Sequence, residues 1–145
     1  MRISAKGEYA IKAMLDLALH RDRGLIPIQE IATRQGIPQR YLEQVLLALK
    51  RGGLLTSKRG SAGGYHLTRA PEDITVGAVL RAVEGREAAF EGGAGRNGGS
   101  ADQDLAGLWE EITGAVSEVV DRVTFGDLVA RALERRSTGR AMYHI

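Results

Sequence analysis

Apolar positions in the first half of the chain follow a helical period, give way to strand-like alternation, and then return to a helical period. Tyr9, Ala10, Ala13, Met14, Leu17 and Ala18 recur at three- and four-residue spacing behind Ser4, whose hydroxyl suits a helix N-cap. This predicts a first helix that fades near Arg23-Gly24. Leu25-Ile26-Pro27 reads as a short extended piece. Ile28, Ile31 and Ala32 mark one face of a short second helix, stopped at Gly36. Pro38 suits the first turn of a third helix, where its missing N–H costs nothing. Tyr41, Leu42, Val45, Leu46 and Leu49 form the apolar stripe of that helix. Gln39, Arg40, Glu43, Gln44 and Lys50 lie off the stripe, and Gly52-Gly53 ends it. Residues 54–57 and 65–68 read as two short strands. The loop between them, 58–64, holds three glycines and two bases.

Ala70-Pro71-Glu72-Asp73 breaks the pattern. Thr75 then caps a fourth helix carrying Val76, Val79, Leu80 and Val83, closed by Glu84-Gly85. Residues 91–104 hold five glycines among polar residues, which predicts a mobile loop over 86–104. Leu105, Leu108, Ile112, Val116, Val119 and Val123 follow at spacings of 3, 4, 4, 3 and 4. That heptad-like seam is narrow and suits a partner helix, either the same helix of a second copy or the chain's own head. Residues 124–133 suit a short last helix. Arg135-Arg136-Ser137-Thr138-Gly139 opens a polar tail that ends Met142-Tyr143-His144-Ile145.

A short helix, a tight turn and a second helix with a polar outer face form the helix-turn-helix pattern. The basic, glycine-rich hairpin behind it adds a wing. The expected fold class is therefore mainly α: a winged helix-turn-helix head with a two-stranded wing, plus a long dimerisation helix. The head spans 1–85, the loop 86–104, the helical dimerisation region 105–134 and the tail 135–145. Such proteins commonly read two half-sites as symmetric dimers, which favours a homodimer over packing of the seam on its own head.

Charge sharpens this division. The formal net charge is only +2, but residues 1–70 hold 12 Lys/Arg against 5 Asp/Glu, and residues 71–145 hold 8 against 13. This fits a phosphate-binding head on an acidic body; a merely solvated basic face is the alternative. There is no apolar run near the length of a membrane span, and Met1 leads straight into charged sequence without a signal-peptide core. The expectation is a cytoplasmic protein with no membrane partner. The absence of cysteine excludes disulfides, thiolate metal sites and a Cys nucleophile.

The candidate chemistry is that of a DNA surface. Gln39, Arg40, Glu43 and Gln44 occupy the early, exposed part of the third helix. Arg can pair with a guanine edge and Gln with adenine, while Glu can accept from cytosine. Tyr41 can offer its hydroxyl to a phosphate, whereas Leu42 is a core residue. Arg59 is the first choice for the wing tip, drawn by the negative potential of a narrow minor groove. Lys58 and Ser61 are expected phosphate contacts, Gly63 and Gly64 give backbone shape, and Lys6 and Arg2 touch the duplex at its edge. His20, His66 and His144 share no ligand spacing, so neither a metal nor another cofactor is expected. His66 should face outward on the wing, near a phosphate. No nucleophile–base order, phosphate-cradling loop or catalytic carboxylate pair is present, so there are no catalytic residues and an enzyme is the least favoured reading. Glu110-Glu111 reads as the outer face of the dimer helix.

Several motifs in order resemble the Rrf-two (Rrf2) family of bacterial winged-helix regulators. They are the opening Arg2-Ile3-Ser4-Ala5-Lys6-Gly7-Glu8-Tyr9-Ala10, then Ile31-Ala32, Gly36-Ile37, Tyr41-Leu42-Glu43-Gln44, the wing Arg59-Gly60-Ser61-Ala62-Gly63-Gly64-Tyr65, and Ile74-Thr75-Val76-Gly77. The match covers 1–85 and runs more weakly to about residue 130. The resemblance implies a dimer whose long helix, about 104–122 here, crosses its counterpart. Many relatives hold an iron–sulfur cluster on three cysteines of the sensor loop, and some recruit an acidic side chain near the N-terminus, a position Glu8 could match. Without sulfur ligands a cluster is rejected here, and cluster-based sensing with it. A cysteine-free branch resembles the chain better. Its members repress cysteine and sulfur metabolism genes under control of a complex with cysteine synthase, which captures partners by a C-terminal isoleucine. Tyr143, His144 and Ile145 could dock in that way.

Together these readings predict a regulator, favoured as a repressor, that binds a pseudo-palindromic double-stranded DNA operator as a homodimer. Two alternatives stand beside it. One is a regulatory subunit docking its tail into an enzyme such as cysteine synthase. The other is a sensor that binds an apolar small molecule between head and dimer helix.

Overall fold

Ser4 opens the chain's first helix, its side chain accepting from the Gly7 N–H at 3.1 Å. Helix α1 (Ala5–Leu19) forms the centre of the head, packing against the second, third, fourth and sixth helices. The computed structural model describes residues 3–85 and 100–143, with side-chain surroundings for 3–85 and 103–139. Ala10, Ala13, Met14 and Leu17 are completely or almost completely buried on the inward face of α1. Small alanines at two of these positions let neighbouring helices approach closely.

Helix α2 (Ile28–Gln35) and helix α3 (Gln39–Arg51) follow, with a single 3-10 turn at Arg21–Arg23 before them. The turn between α2 and α3 depends on Gly36, which sits at φ 64°. That left-handed conformation suits glycine and lets the Ile37 N–H donate back to the Ala32 carbonyl at 3.0 Å. Ile37 then enters the core. Pro38 stands just before α3 as its cap residue rather than inside the first turn. Leu42, Val45, Leu46 and Leu49 bury one face of α3; Tyr41, expected on the same stripe, is instead exposed.

Strands β1 (Leu55–Lys58) and β2 (Gly64–Leu67) pair antiparallel, with Leu55 opposite Leu67 and Thr56 opposite His66. The pairing includes Lys58 and Gly64, so the wing turn is shorter than the sequence suggested. Ile26 exchanges two backbone hydrogen bonds with Tyr65, both 2.9 Å, and anchors the hairpin to the segment before α2.

Helix α4 (Val76–Glu84) starts at Thr75, whose hydroxyl accepts from the Ala78 N–H. Helix α5 (Ser100–Arg122) and helix α6 (Phe125–Tyr143) complete the chain. Their junction is fixed to the head: Val76 N–H donates to the Val123 carbonyl at 3.0 Å, and Phe125 N–H to the Ile74 carbonyl at 2.9 Å. Phe125 is fully buried in the head core. The bidentate pair Arg81–Asp121, at 2.6 and 2.8 Å, ties α4 to α5.

Three further expectations change, all in the C-terminal half. The final helix does not stop near Leu133 but runs to Tyr143, so the segment read as a polar tail is helical up to there. It is polar on most sides and gave no apolar period to follow. Helix α5 begins at Ser100, inside the stretch read as loop; residues 86–99 lie outside the described residues. The apolar seam of α5 also divides. Leu105, Leu108, Ile112 and Val119 are exposed, whereas Val116 and Val123 are half-buried. Val116 packs against the chain's own Leu80–Val120 cluster. Val120, one residue off the seam, is the position buried most completely among the described residues of α5.

Candidate nucleic-acid interface

The outer face of α3 is open. Gln39, Arg40, Tyr41, Glu43 and Gln44 are all exposed, which follows from the opposite face being spent on Leu42, Val45, Leu46 and Leu49. Arg40 lies over the Tyr41 ring, 4.9 Å from its centroid, and donates to the Tyr41 hydroxyl at 3.0 Å. These contacts hold the guanidinium at the surface beside the phenol.

The wing lies alongside this helix. A cleft of about 550 Å³ separates them, lined by Gln29 at the start of α2, Leu47 and Lys50 of α3, and Ser57, Lys58, Arg59 and Ser61 of the wing. Lys50 donates to Ser57 Oγ at 2.7 Å and joins the end of α3 to β1 across it. Three cations thus border one trough whose width is set by secondary structure. Gly63 and Gly64 shape its wall. A Cβ on Gly63 would run into the Lys58 carbonyl, and one on Gly64 into the backbone of Ile26.

Lys6 sits elsewhere. With Ala5, Tyr9, Tyr41, Gln44 and Val45 it lines a second cleft of about 330 Å³ between α1 and α3. The structure therefore brings Lys6 to Tyr41 and Gln44, and Lys58, Arg59 and Ser61 to the far end of the same helix. Arg2, His144 and Ile145 lie outside the described residues, and Tyr143 is described only as the end of α6.

His66 is exposed on the wing. Its Nε2 lies 2.9 Å from Thr56 Oγ1 and its Nδ1 2.9 Å from the Leu67 carbonyl. The carbonyl can only accept, so Nδ1 carries a proton. Both ring nitrogens are engaged within the hairpin, which makes His66 a brace for the wing.

Sequence reasoning missed the clamp that orients α2. Asp16 is fully buried and receives Arg34 Nε and Nη2, each at 2.9 Å, and Gln35 Nε2 at 3.1 Å. Arg34 also donates to Glu30, which receives Arg23 as well. The two guanidinium groups hold the Glu30 carboxyl down at about 2, well below the ordinary 4.5. Arg34, bound by Asp16 and Glu30, is pushed up from an already high value. Leu47 and Gln29 were missed as well. A helical-wheel count would have placed Leu47 among the polar residues of α3.

An exposed polar helix beside a cationic hairpin, on a scaffold of short helices joined by a glycine turn, defines a winged helix-turn-helix transcription regulator. Residues 3–131 match the Rrf2 family, described as iron-dependent transcriptional regulators. The chain belongs to the Rrf2 family. It is 39% identical over 131 residues to the HTH-type transcriptional regulator IscR of Aliivibrio salmonicida, covering 89% of this chain and 77% of that protein. Its fold is similar to CymR, the global cysteine regulator of B. subtilis, with a TM-score of 0.76 and 34% identity over 90% of this chain and 98% of that one. It is also similar to T. potens IscR, with a TM-score of 0.73 and 36% identity over 91% and 88%.

The family description raises the question of iron. The 145 residues contain no cysteine, and among the described residues no three His, Asp or Glu side chains are grouped to share a metal ion. Glu8 is exposed on the first turn of α1. Clusters are held by thiolates, with imidazole as an occasional replacement, so the donor set does not fit a thiolate-bound cluster. A cysteine synthase partner finds no support in these comparisons. Among the described residues no helix is long and apolar enough to cross a membrane.

Proposed function

We propose that the chain is a homodimeric repressor that binds a pseudo-palindromic operator and works without an iron–sulfur cluster. The observation that carries this reading is the open outer face of α3, where Gln39, Arg40, Glu43 and Gln44 are exposed, continued at the far end of the helix by the trough that Leu47 and Lys50 form with Lys58 and Arg59 of the wing. Side chains of α3 read base edges, the lysines neutralise phosphates, and Arg59 enters the adjacent minor groove. Lys6 contacts the backbone at the other end of the helix.

Dimerisation is supported by Leu105, Leu108, Ile112 and Val119, which are 40%, 46%, 37% and 47% exposed on one long helix. A row of large apolar side chains at this exposure is suited to a second copy of α5. Cysteine or sulfur metabolism is the favoured regulon, on the likeness to CymR and the absence of cysteine ligands.

The test is a genome-wide footprint followed by titration of the recovered duplexes. The expected result is two protected half-sites related by a dyad, and an affinity that falls steeply with salt and is indifferent to iron and sulfide. A protein that ignores DNA at low ionic strength would overturn the reading.

A further inference from the structure

Leu47 is the large aliphatic residue exposed on the outer face of α3. Arg40, Glu43, Gln44, Leu47 and Arg51 recur at three- and four-residue spacing and form one stripe. All five are exposed, and Leu47 stands 46% exposed in its middle. The buried residues Leu42, Val45, Leu46 and Leu49 occupy the opposite face, so Leu47 contributes nothing to the core cluster. It also lines the cationic trough with Lys50, Lys58 and Arg59. An apolar side chain on a helix face otherwise built for hydrogen bonding, and flanked by phosphate-seeking cations, has a matching feature in the major groove. That feature is the 5-methyl group of thymine, the apolar element among the base edges there.

We propose that Leu47 reads a thymine methyl in each half-site. The proposal rests on the DNA-binding reading above. Geometry fixes its place: seven residues separate Arg40 from Leu47, about 10 Å along the helix. The thymine therefore belongs to a different base pair from the one read by Arg40, displaced toward the wing. Glu43 and Gln44 serve the positions between.

The experiment uses the full chain and duplexes selected from a randomised pool. Each thymine of the selected site is replaced in turn by deoxyuridine, which removes only the methyl group. For the native chain, one position per half-site should lose about fourfold in affinity, the effect of one methyl group leaving an apolar contact. Leu47→Ala should bind the thymine and deoxyuridine duplexes equally at that position, while keeping its melting temperature. The proposal is overturned if the selected site has no thymine there, if deoxyuridine is tolerated everywhere, or if Leu47→Ala keeps the discrimination. Failure of the native chain to select any duplex would instead overturn the DNA-binding reading itself.

Discussion

Asp16 and Arg34 lie 18 residues apart in sequence and share two parallel hydrogen bonds of 2.9 Å, with the Asp16 side chain 1% exposed and the Arg34 side chain 31%. One belongs to α1 and the other to the last turn of α2. The pair fixes the angle at which α2 leaves the core, and therefore where the glycine turn delivers α3. Removing one partner strands the other. Arg34→Leu leaves a buried carboxylate with Gln35 as its remaining side-chain donor, and should destabilise the fold by about 3–5 kcal/mol. Chemical denaturation of the variant checks this. Asp16→Asn, which keeps the shape and some of the bonds, should cost less.

The acid limb of the stability profile should report Glu30. Its folded carboxyl titrates at about 2 against an ordinary 4.5, because Arg23 and Arg34 donate to it. A depressed folded value means that the stabilisation is complete above pH 4.5 and is lost as pH falls toward 2. Glu30→Gln should flatten that part of the curve and leave the region above pH 5 nearly parallel to the native one. The group is exposed, so added salt should shrink the difference. Melting temperatures at stepped pH, at low and high salt, measure both effects.

The wing and α3 should separate by the kind of loss they cause. Arg59→Ala should weaken operator binding by roughly 1–3 kcal/mol and relax preference at the flanking position. Lys50→Ala and Lys58→Ala should weaken specific and non-specific duplexes alike, each lowering the salt slope by about 1. Titration of specific and scrambled duplexes across salt concentrations distinguishes the two. A uniform loss for Arg59→Ala would make it a phosphate contact.

Local rules on the sequence were enough for most of the head. Ser4 and Thr75 cap the helices they were expected to cap, Gly36 makes the turn, and the wing pairs within one residue of its expected bounds. These features depend on neighbours a few residues away. What escaped depends on distant partners. Phe125 is fully buried because backbone bonds between residues 74–76 and 123–125 pull the α5–α6 junction onto the head. Asp16 reads as an ordinary surface residue until Arg34 is brought to it. The candidate site divides in the same way: the exposed face of α3 was legible from periodicity, whereas the trough that gathers Gln29, Leu47 and Lys50 with the wing is a product of packing.

The division of the α5 seam gives two substitutions with different outcomes. Ile112 is 37% exposed between Leu108 and Val119; Val116 packs against Leu80 and Val120 of its own chain. Ile112→Asp places a charge where a second α5 would lie, so it should yield monomers with an unchanged head. Operator affinity should then fall, because a single head engages only one half-site. Val116→Asp instead buries part of a charge against Leu80 and should lower the melting temperature of the head itself. Sedimentation combined with thermal melts separates the cases. Dimers from Ile112→Asp with native stability would move the interface off this face, to a surface such as that around Leu133 on α6, which is 54% exposed.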